Sequence, residues 1–250
     1  MDYPQKYREI AAELGLNEEK DREAAQILNS LLPKKEKTED NTRLERAIKG
    51  RYVFVYGAGP TLKQDIKAIK AAYLHQEKKY VAIAADGAGK ALMEEGIIPE
   101  IHVTDLDGYP ENILAANKKG AITVVHAHAD NIKQLKDLVP KLKDPIGTTQ
   151  VKPFGGLHNF GGFTDGDRCV YLAEHFRAGL IILAGMGFED EIGEYAGTYV
   201  REKKLKKLAI GKRLIEELAS RSDVQMLDIT SSEGYLVNIP KVSAEHLKNV

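Results

Sequence analysis

The sequence predicts an α/β fold: a Rossmann-like, mainly parallel sheet with helices on both faces, preceded by an N-terminal helical segment. Three observations predict it. Short runs of β-branched and apolar residues recur from residue 51 onward, and helix-like segments separate them. The runs are continuously apolar rather than alternating, which is typical of parallel strands covered on both faces. Glycine-rich or acidic residues follow the runs, where ligands of such sheets bind.

The first 50 residues are expected to form helices. Apolar residues at helical spacing predict two of them. These residues are Tyr3, Tyr7, Ile10 and Leu14 in the first helix and Ala24, Ile27, Leu28 and Leu31 in the second. Pro33 ends the second helix, the charged run 34–40 predicts an exposed connection, and a third short helix is expected over 42–49. We interpret these helices as packing or dimerisation elements, which leaves a homodimer open.

Strands and helices then alternate along the chain. Strands are expected at 52–56, 80–85, 101–104, 121–126 and 180–184, with intervening helices at 62–75, 89–95, 112–118, 132–139 and 165–177. A basic helix over 201–220 and one more strand over 225–230 follow. The predicted organisation is an N-terminal helical segment 1–50, a catalytic α/β domain 51–185, and a C-terminal helix and strand segment 186–250 that completes the fold.

Composition excludes several classes of protein. The chain has 36 Lys plus Arg against 37 Asp plus Glu, a formal charge of −1, so no surplus of cations indicates nucleic-acid binding. The most apolar stretch, 178–188, is far shorter than the roughly 20 residues of a membrane-spanning helix. The single cysteine, Cys169, has no partner for an internal disulfide and is expected in the core. A cytoplasmic protein that binds neither membrane nor nucleic acid is expected.

The loop after the first strand is glycine-rich. Gly57 and Gly59 would let the backbone approach a ligand closely, and Pro60 suits the first position of a helix. Free N–H groups and the helix dipole would then face an anion, with Thr61 beside them. A tight strand-to-helix turn without a ligand explains the same residues, so this motif alone is a weak indication.

Acidic residues follow the next two strands. Asp105 and Asp107 are separated by one residue in a turn, and two carboxylates so placed can share a hard cation such as Mg²⁺. Thr104 could support them through a hydrogen bond. Asp86 ends the neighbouring apolar run in the same way. The alternative is a solvated acidic turn.

Two further segments carry polar chemistry. Four glycines, among them Gly161 and Gly162, precede Thr164, which is a good N-cap for a helix that starts with Asp165, Asp167 and Arg168. His126 and His128 follow the fourth strand and fit either a transition-metal pair or groups that contact a substrate.

In this order, the motifs resemble a known family. The segments 85–88 and 99–108 are similar to the acidic strand ends of thiamine pyrophosphokinases. Together with 57–60, 126–131 and 160–168, they resemble the archaeal 6-hydroxymethyl-7,8-dihydropterin pyrophosphokinases more closely. The resemblance covers roughly residues 50–185. Bacterial proteins linked to flagellin glycosylation are similar over the same block.

The resemblance implies Mg²⁺-dependent transfer of a diphosphate from ATP to the hydroxymethyl group of the pterin, with release of AMP, in tetrahydromethanopterin or folate-type synthesis. Asp105 and Asp107 would hold Mg²⁺, with Asp86 as a third or water-mediated ligand. Asp165 or Asp167 would hold a second metal or accept the hydroxyl proton, and Arg168 would bind phosphate. The loops at 57–61 and 161–162 would line the nucleotide or pterin pocket.

The remaining expectations concern the acceptor and the rival functions. His126 and His128 are expected to contact substrate, and Asp130 or Asn159 could pair with the guanidine-like edge of a pterin. One rival function is a metal-dependent glycosyltransferase that uses Asp105 and Asp107 on the diphosphate of a nucleotide sugar. The other is a nucleotide-binding protein without turnover.

Overall fold

The computed structural model describes residues 3–72, 80–188, 191–197 and 200–249. Its strands are β1 Tyr52–Tyr56, β2 Tyr80–Ala85, β3 Ile101–Thr104, β4 Ile122–Ala127, β5 Ile146–Thr149, β6 Leu180–Ala184 and β7 Met226–Asp228. Its helices are α1 Tyr3–Leu14, α2 Glu18–Leu31, α3 Lys37–Ile48, α4 Leu62–Ala71, α5 Ala88–Glu94, α6 Pro110–Lys118, α7 Ile132–Leu138, α8 Asp165–His175 and α9 Arg201–Ala219. No helix in these ranges has both the length and the apolar character needed to cross a membrane.

The strands form one seven-stranded sheet in the order β5-β4-β3-β2-β1-β6-β7. Every neighbouring pair is parallel. The predicted fold class is therefore confirmed. Because the strands are parallel, all their carboxyl ends lie at one edge of the sheet, and the loops that follow them meet there.

Each face of the sheet is covered, which explains the continuously apolar strands. Alternate residues of a strand point to opposite faces. Val53 and Val55 pack in a cluster with Val170 of α8, whereas Phe54 and Tyr56 pack in a second cluster with Ile66 of α4. Burial on both faces leaves no position in β1 that favours a polar side chain.

The N-terminal helices pack on the sheet of the same chain. Ile10 of α1 and Leu44 of α3 belong to the cluster that contains Val53. Leu28 of α2 is fully buried with Val125 of β4, and a Cβ placed on Gly147 of β5 would lie 3.3 Å from the Leu28 side chain. The apolar stripes that predicted these helices are thus buried within the chain itself.

The connection between the second and third helices differs from the prediction. Helix α3 begins at Lys37, so part of the predicted exposed connection 34–40 is helical. Asp40 is 3% exposed, because its carboxylate pairs with Lys35 at 2.5 Å and with His158 at 3.3 Å.

Strand β5 was not predicted, since it is only four residues long and includes Gly147. The end of the helix predicted over 62–75 lies outside the described residues.

Asp65 joins the carboxyl edge to the C-terminal segment. This carboxylate is fully buried and accepts hydrogen bonds from Gly185 N–H (2.8 Å), Ser231 N–H (2.9 Å), Ser231 Oγ (2.5 Å) and Thr61 Oγ1 (3.0 Å). It therefore connects α4, the loop after β6 and the segment after β7. Sequence reasoning gave Asp65 no role, because its partners lie far away in the chain.

Replacing Asp65 with asparagine should destabilise the protein by roughly 2–3 kcal/mol, because an amide nitrogen cannot accept the N–H bonds that one carboxylate oxygen now receives. Urea unfolding measures the change. The exposed Asp223→Asn variant is the matched control and should unfold like the wild type. Equal stability of Asp65→Asn and wild type would contradict this role.

Candidate functional site

Three carboxylates meet at the carboxyl edge of the sheet. Asp86 follows β2, and Asp105 and Asp107 follow β3. One carboxylate oxygen from each lies within 4.8 Å of the others. The sequence prediction that these residues come together agrees with this geometry, and the reason is that β2 and β3 are adjacent and parallel.

Local structure fixes the position of Asp86. Its φ is +39°, a conformation that few residues other than glycine adopt, and its N–H donates to Val103 O at 2.7 Å. Thr104 Oγ1 donates to Asp86 Oδ1 at 2.6 Å and accepts from Leu106 N–H at 2.8 Å. A Cβ placed on Gly108 would lie 2.1 Å from Asp86 Oδ2. Thr104 thus supports Asp86, and not Asp105 or Asp107 as the sequence suggested.

Asp105 is held by the loop after β4. His128 Nδ1 accepts from Asp130 N–H at 3.3 Å, which places the ring proton on Nε2, and Nε2 is 3.1 Å from Asp105 Oδ2. Asn131 Nδ2 donates to Asp105 O at 2.6 Å and to His126 O at 2.7 Å. His128 thus orients a carboxylate, and Asn131, which had no predicted role, joins the ends of β3 and β4.

The three carboxylates of the cluster repel one another, because they are like charges held close together. Burial and the nearby charge of Asp105 raise the pKa of Asp86. The same two causes raise the pKa of Asp107, the exposed member of the cluster. Burial would also raise the pKa of Asp105, but the interactions with His128 and the hydrogen bonds with Asp107 together outweigh it and hold that pKa low. A cation among the three oxygens would relieve this repulsion.

Asp165 is the fourth carboxylate at this edge. It is the first residue of α8, directly after the N-cap Thr164, and it is half-buried. Burial raises the pKa of Asp165 well above its usual range, and the charges of Asp105 and Asp86 add to the rise. No hydrogen bond to its carboxylate occurs among the described residues. Asp165 therefore has a carboxylate available for chemistry.

Asp167 does not have a free carboxylate. Its two oxygens accept from Phe163 N–H, from Thr164 N–H at 2.9 Å and from the Thr164 hydroxyl, and the residue is 1% exposed. These bonds form a capping box at the start of α8. The structure thus gives Asp167 a role in holding the helix, and of the two predicted candidates for a base it favours Asp165.

Arg168 is buried with its guanidinium bonded to protein groups. It donates to Gln150 Oε1 at 3.1 Å and to the Phe163 carbonyl, and it is 8% exposed. Nearby Asp165 and Asp167 offset the cost of burying its charge. The predicted phosphate contact of Arg168 stays a prediction, because the bonds in this structure hold Gln150 and the loop before α8.

The two glycines after β1 pack against the end of β6. Gly57 N–H donates to Ala184 O at 2.9 Å, and Gly59 N–H donates to Gly185 O at 2.8 Å. A Cβ placed on Gly59 would lie 2.5 Å from Gly185 O. Two backbones cross here and bond to each other, and a contact of Gly57 and Gly59 with nucleotide stays a prediction.

The start of α4 also differs from the prediction. Helix α4 begins at Leu62, so Pro60 precedes the cap instead of occupying the first helical position. Thr61 is the N-cap residue, and its hydroxyl donates to Asp65. These two residues lie beside the carboxyl edge, and a contact with nucleotide stays a prediction for them.

The glycines before α8 are explained by the backbone. Gly161 has φ +96° and Gly162 has φ +79°, both in the left-handed region. A Cβ on Gly161 would lie 2.4 Å from the Tyr171 ring, and one on Gly162 would lie 2.7 Å from the Arg168 backbone. The close approach expected at these residues is therefore to helix α8.

The other predicted substrate residues have different surroundings. His126 is buried, with Nδ1 3.1 Å from Thr148 Oγ1, and its ring stacks on that of His128 with 6.3 Å between the ring centres. Asp130 is exposed on the turn after β4. The Asn159 amide folds its own loop, because Nδ2 lies 3.4 Å from Gln150 O and Oδ1 accepts from Gly161 N–H at 3.0 Å.

A short segment at 191–197 covers the loops at this edge. A Cβ on Gly193 would lie 2.2 Å from Ala58 O, and one on Gly87 would lie 1.9 Å from Tyr195 O. Tyr109 OH donates to Glu194 O at 3.3 Å. Gly193 of the segment and Gly87 of the loop after β2 are needed because the segment crosses the loops after β1 and β2 in close contact.

Asp21 of α2 is a site-supporting residue that sequence reasoning missed. It is 3% exposed and accepts from Ala129 N–H at 2.7 Å, from Gln150 Nε2 at 2.8 Å and from Tyr7 OH. Gln150 in turn accepts from Arg168. The N-terminal helices are thereby bonded to the turn that carries His128 and to the loop that holds α8.

Replacing Asp21 with asparagine should remove at least one of these hydrogen bonds. The side-chain amide nitrogen of asparagine is a donor, so it cannot accept the bond that the carboxylate oxygen in its place accepts now. We expect a loss of roughly 1–3 kcal/mol in stability. Amide hydrogen exchange should become faster in α1 and in the turn 129–131 together. Glu19→Gln, on the exposed face of the same helix, is the control. Faster exchange in α1 alone would contradict a connection to the site.

Comparison with known proteins identifies the family. Residues 29–193 match the family described as 6-hydroxymethylpterin diphosphokinase MptE-like. Three archaeal proteins named 6-hydroxymethyl-7,8-dihydropterin pyrophosphokinase are 38–42% identical to the chain. The protein of Methanocaldococcus jannaschii is 42% identical over 88% of this chain and 96% of its own length. That of Methanothermobacter thermautotrophicus is 40% identical over 88% and 95%.

A more distant likeness is to a solved structure, the MAf glycosyltransferase from Magnetospirillum magneticum AMB-1. It has a TM-score of 0.49 and 16% identity, and covers 84% of this chain and 38% of the other. That likeness is too remote to bear on the chemistry. The family match and the archaeal relatives, by contrast, confirm the resemblance seen in the sequence. The chain belongs to the MptE-like family of 6-hydroxymethylpterin diphosphokinases.

Proposed function

We propose that the protein transfers a diphosphate from ATP to 6-hydroxymethyl-7,8-dihydropterin and releases AMP, with Mg²⁺ bound at Asp86, Asp105 and Asp107. The observation that carries the proposal is the cluster of three carboxylates within 4.8 Å, at the carboxyl edge of the sheet, in a member of a pterin diphosphokinase family. The names of the archaeal relatives support the acceptor.

The donor set fits magnesium. All three groups offer carboxylate oxygens, which Mg²⁺ prefers, and burial together with the charge of Asp105 raises the pKa of Asp86 and of Asp107, an effect that a cation would offset. When bound, Mg²⁺ would neutralise negative charge on the phosphate oxygens of the donor. The hydrogen bonds from Thr104 and His128 orient two of the three carboxylates, as partners of metal ligands commonly do.

The chemistry requires a bond exchange at the β-phosphorus of ATP. The hydroxymethyl oxygen of the pterin forms a bond to that phosphorus, and the bond to the α,β-bridging oxygen breaks. AMP leaves with the bonding electron pair, and the hydroxyl proton passes to a base. Such transfers depend mainly on positioning and charge neutralisation.

In this proposal Asp165 receives the proton. Burial raises its pKa well above its usual range, which makes it a stronger base than an ordinary aspartate. Asp167 is bonded into the helix cap and Arg168 into the Gln150 network, so neither presents a free base at this edge. The Gln150 network and the cap therefore position Asp165 instead of reacting.

Nucleotide analysis tests the reaction directly. Purified protein with ATP, Mg²⁺ and 6-hydroxymethyl-7,8-dihydropterin should form AMP and a diphosphorylated pterin in equal amounts, detected by chromatography and mass. Thiamine as acceptor and a mixture without acceptor are the controls and should give no AMP. An absence of AMP with the pterin would overturn the proposal, and nucleotide-sugar donors would be the next substrates to assay.

Two variants separate metal binding from proton transfer. Asp105→Asn should weaken Mn²⁺ binding by roughly 10-fold or more, because it removes a charged ligand. Asp165→Asn should leave Mn²⁺ binding within about 3-fold while it lowers kcat by roughly 10²–10⁴-fold, the contribution typical of a general base. Exposed Asp137→Asn is the control for both. Loss of Mn²⁺ binding in Asp165→Asn would instead make Asp165 a ligand.

A further inference from the structure

Strand β3 holds Asp86 at three points. Val103 O accepts from the Asp86 N–H at 2.7 Å, and Thr104 Oγ1 donates to the Asp86 carboxylate at 2.6 Å. The residue before these two is His102, and its ring nitrogen Nε2 lies 2.7 Å from the Asp86 carbonyl oxygen. Three consecutive residues of one strand thus bind the amide, the side chain and the carbonyl of the same aspartate.

The carbonyl partner fixes the position of the proton on the His102 ring. A carbonyl oxygen only accepts hydrogen bonds, so Nε2 carries the proton and donates it. The other ring nitrogen, Nδ1, is buried and has no hydrogen-bond partner among the described residues. A proton on Nδ1 would be a buried donor without an acceptor, which favours the neutral ring with its proton on Nε2.

The ring packs against the start of α5. His102 is 1% exposed, and a Cβ placed on Gly89 would lie 2.4 Å from its Cε1 and 2.6 Å from its Nε2. The Gly89 N–H also donates to the Asp86 carbonyl oxygen, at 3.0 Å. Gly89 therefore leaves room for the ring and shares an acceptor with it, so the packing of α5 holds the ring against the carbonyl.

A polar ring at this position of β3 needs an explanation. Every residue of the strand is buried, and Ile101 and Val103 on either side of His102 are apolar. One ring nitrogen has no partner, and burial of an unpaired polar atom costs free energy. An aliphatic side chain would fill the strand without that cost. What the histidine adds among the described residues is its hydrogen bond to the carbonyl of Asp86.

This hydrogen bond acts on the backbone of Asp86. With a φ of +39°, Asp86 has a conformation that is unfavourable for a residue with a side chain unless the surrounding structure holds it. A change in this backbone would move the carboxylate oxygen that lies within 4.8 Å of those of Asp105 and Asp107. His102 is thus placed to determine where one of the three carboxylates points.

We propose that His102 is a positioning residue for the cation site: its Nε2–H holds the Asp86 carbonyl and thereby keeps the Asp86 carboxylate in the cluster. The inference rests on the proposed function for the statement that the cluster binds a cation, but it concerns metal affinity and not the transfer reaction. The competing explanation is that His102 only stabilises the fold. The two explanations differ in what the loss of the ring donor does to metal binding by the folded protein.

The test compares His102→Met, which has no donor, with His102→Gln, whose amide nitrogen can take the place of Nε2. Mn²⁺ binding is followed by electron paramagnetic resonance, at a temperature at which circular dichroism shows every variant to be folded. His102→Met should bind Mn²⁺ roughly 10–100-fold more weakly, the loss typical when a residue that supports a metal ligand is removed, and His102→Gln should recover much of the affinity.

Thr123→Val is the matched control for a purely structural loss. Thr123 lies beside His102 on β4, is fully buried, and accepts a hydrogen bond from Asn117 at 3.1 Å. Thr123→Val should unfold at a lower urea concentration than the wild type and bind Mn²⁺ as the wild type does. In Gly89→Ala the added Cβ would displace the ring, so Mn²⁺ binding should weaken although the histidine is kept. This variant decides between the explanations if His102→Met does not fold.

A double-mutant cycle with Asp86→Asn shows whether His102 acts through Asp86. In the Asp86→Asn protein, His102→Met should change Mn²⁺ affinity by less than about 2-fold, because the two residues then share one effect. An equal loss in both backgrounds, wild-type Mn²⁺ affinity in His102→Met, or a similar loss in Thr123→Val would overturn the inference. If the wild type binds no Mn²⁺, the inference fails together with the proposed metal site. If it binds Mn²⁺ in a His102-dependent way but makes no diphosphorylated pterin, the proposed reaction fails and the inference stands.

Discussion

The repulsion among Asp86, Asp105 and Asp107 is the constraint around which the carboxyl edge is built. Three carboxylates do not converge within 4.8 Å unless other groups hold them there. Thr104 and His128 donate to two of them, and Gly108 leaves room for the first. The favourable packing of the sheet beneath supports this unfavourable arrangement.

The N-terminal helices belong to that support. Asp21 caps the turn after β4 and binds Gln150, and Gln150 binds Arg168 under the start of α8. The turn carries His128, which holds Asp105, and α8 carries Asp165. Two sides of the cluster are therefore connected through the buried carboxylate of Asp21. The sequence indicated only a packing or dimerisation role for its helix. Movement of α2 would displace both sides together.

The sequence predicts the sheet and the acidic cluster well for the same physical reason. Buried parallel strands are continuously apolar, so their ends are visible, and the carboxyl ends of such strands share an edge. Residues whose hydrogen-bond partners are distant in the sequence cannot be recognised in this way. Asp21 and Asp65 look like ordinary helix-surface aspartates, and only the packed structure shows that each accepts several hydrogen bonds while buried. The four-residue strand β5 lacks a sufficient pattern because it includes Gly147.

A glycine-rich motif in a sequence can have two different structural causes. A loop that must approach phosphate and a loop that must cross another backbone both exclude a Cβ, so both produce glycine in the sequence. Here Gly57 and Gly59 meet the end of β6, at the point where the strand order reverses and a ligand crevice is normally open. At this point of the sheet the close approach is therefore between two backbones, and the cluster of acidic residues lies at the ends of the neighbouring strands β2 and β3. The parallel sheet therefore determines which edge carries the chemistry, and the ionisable residues determine where along that edge it lies.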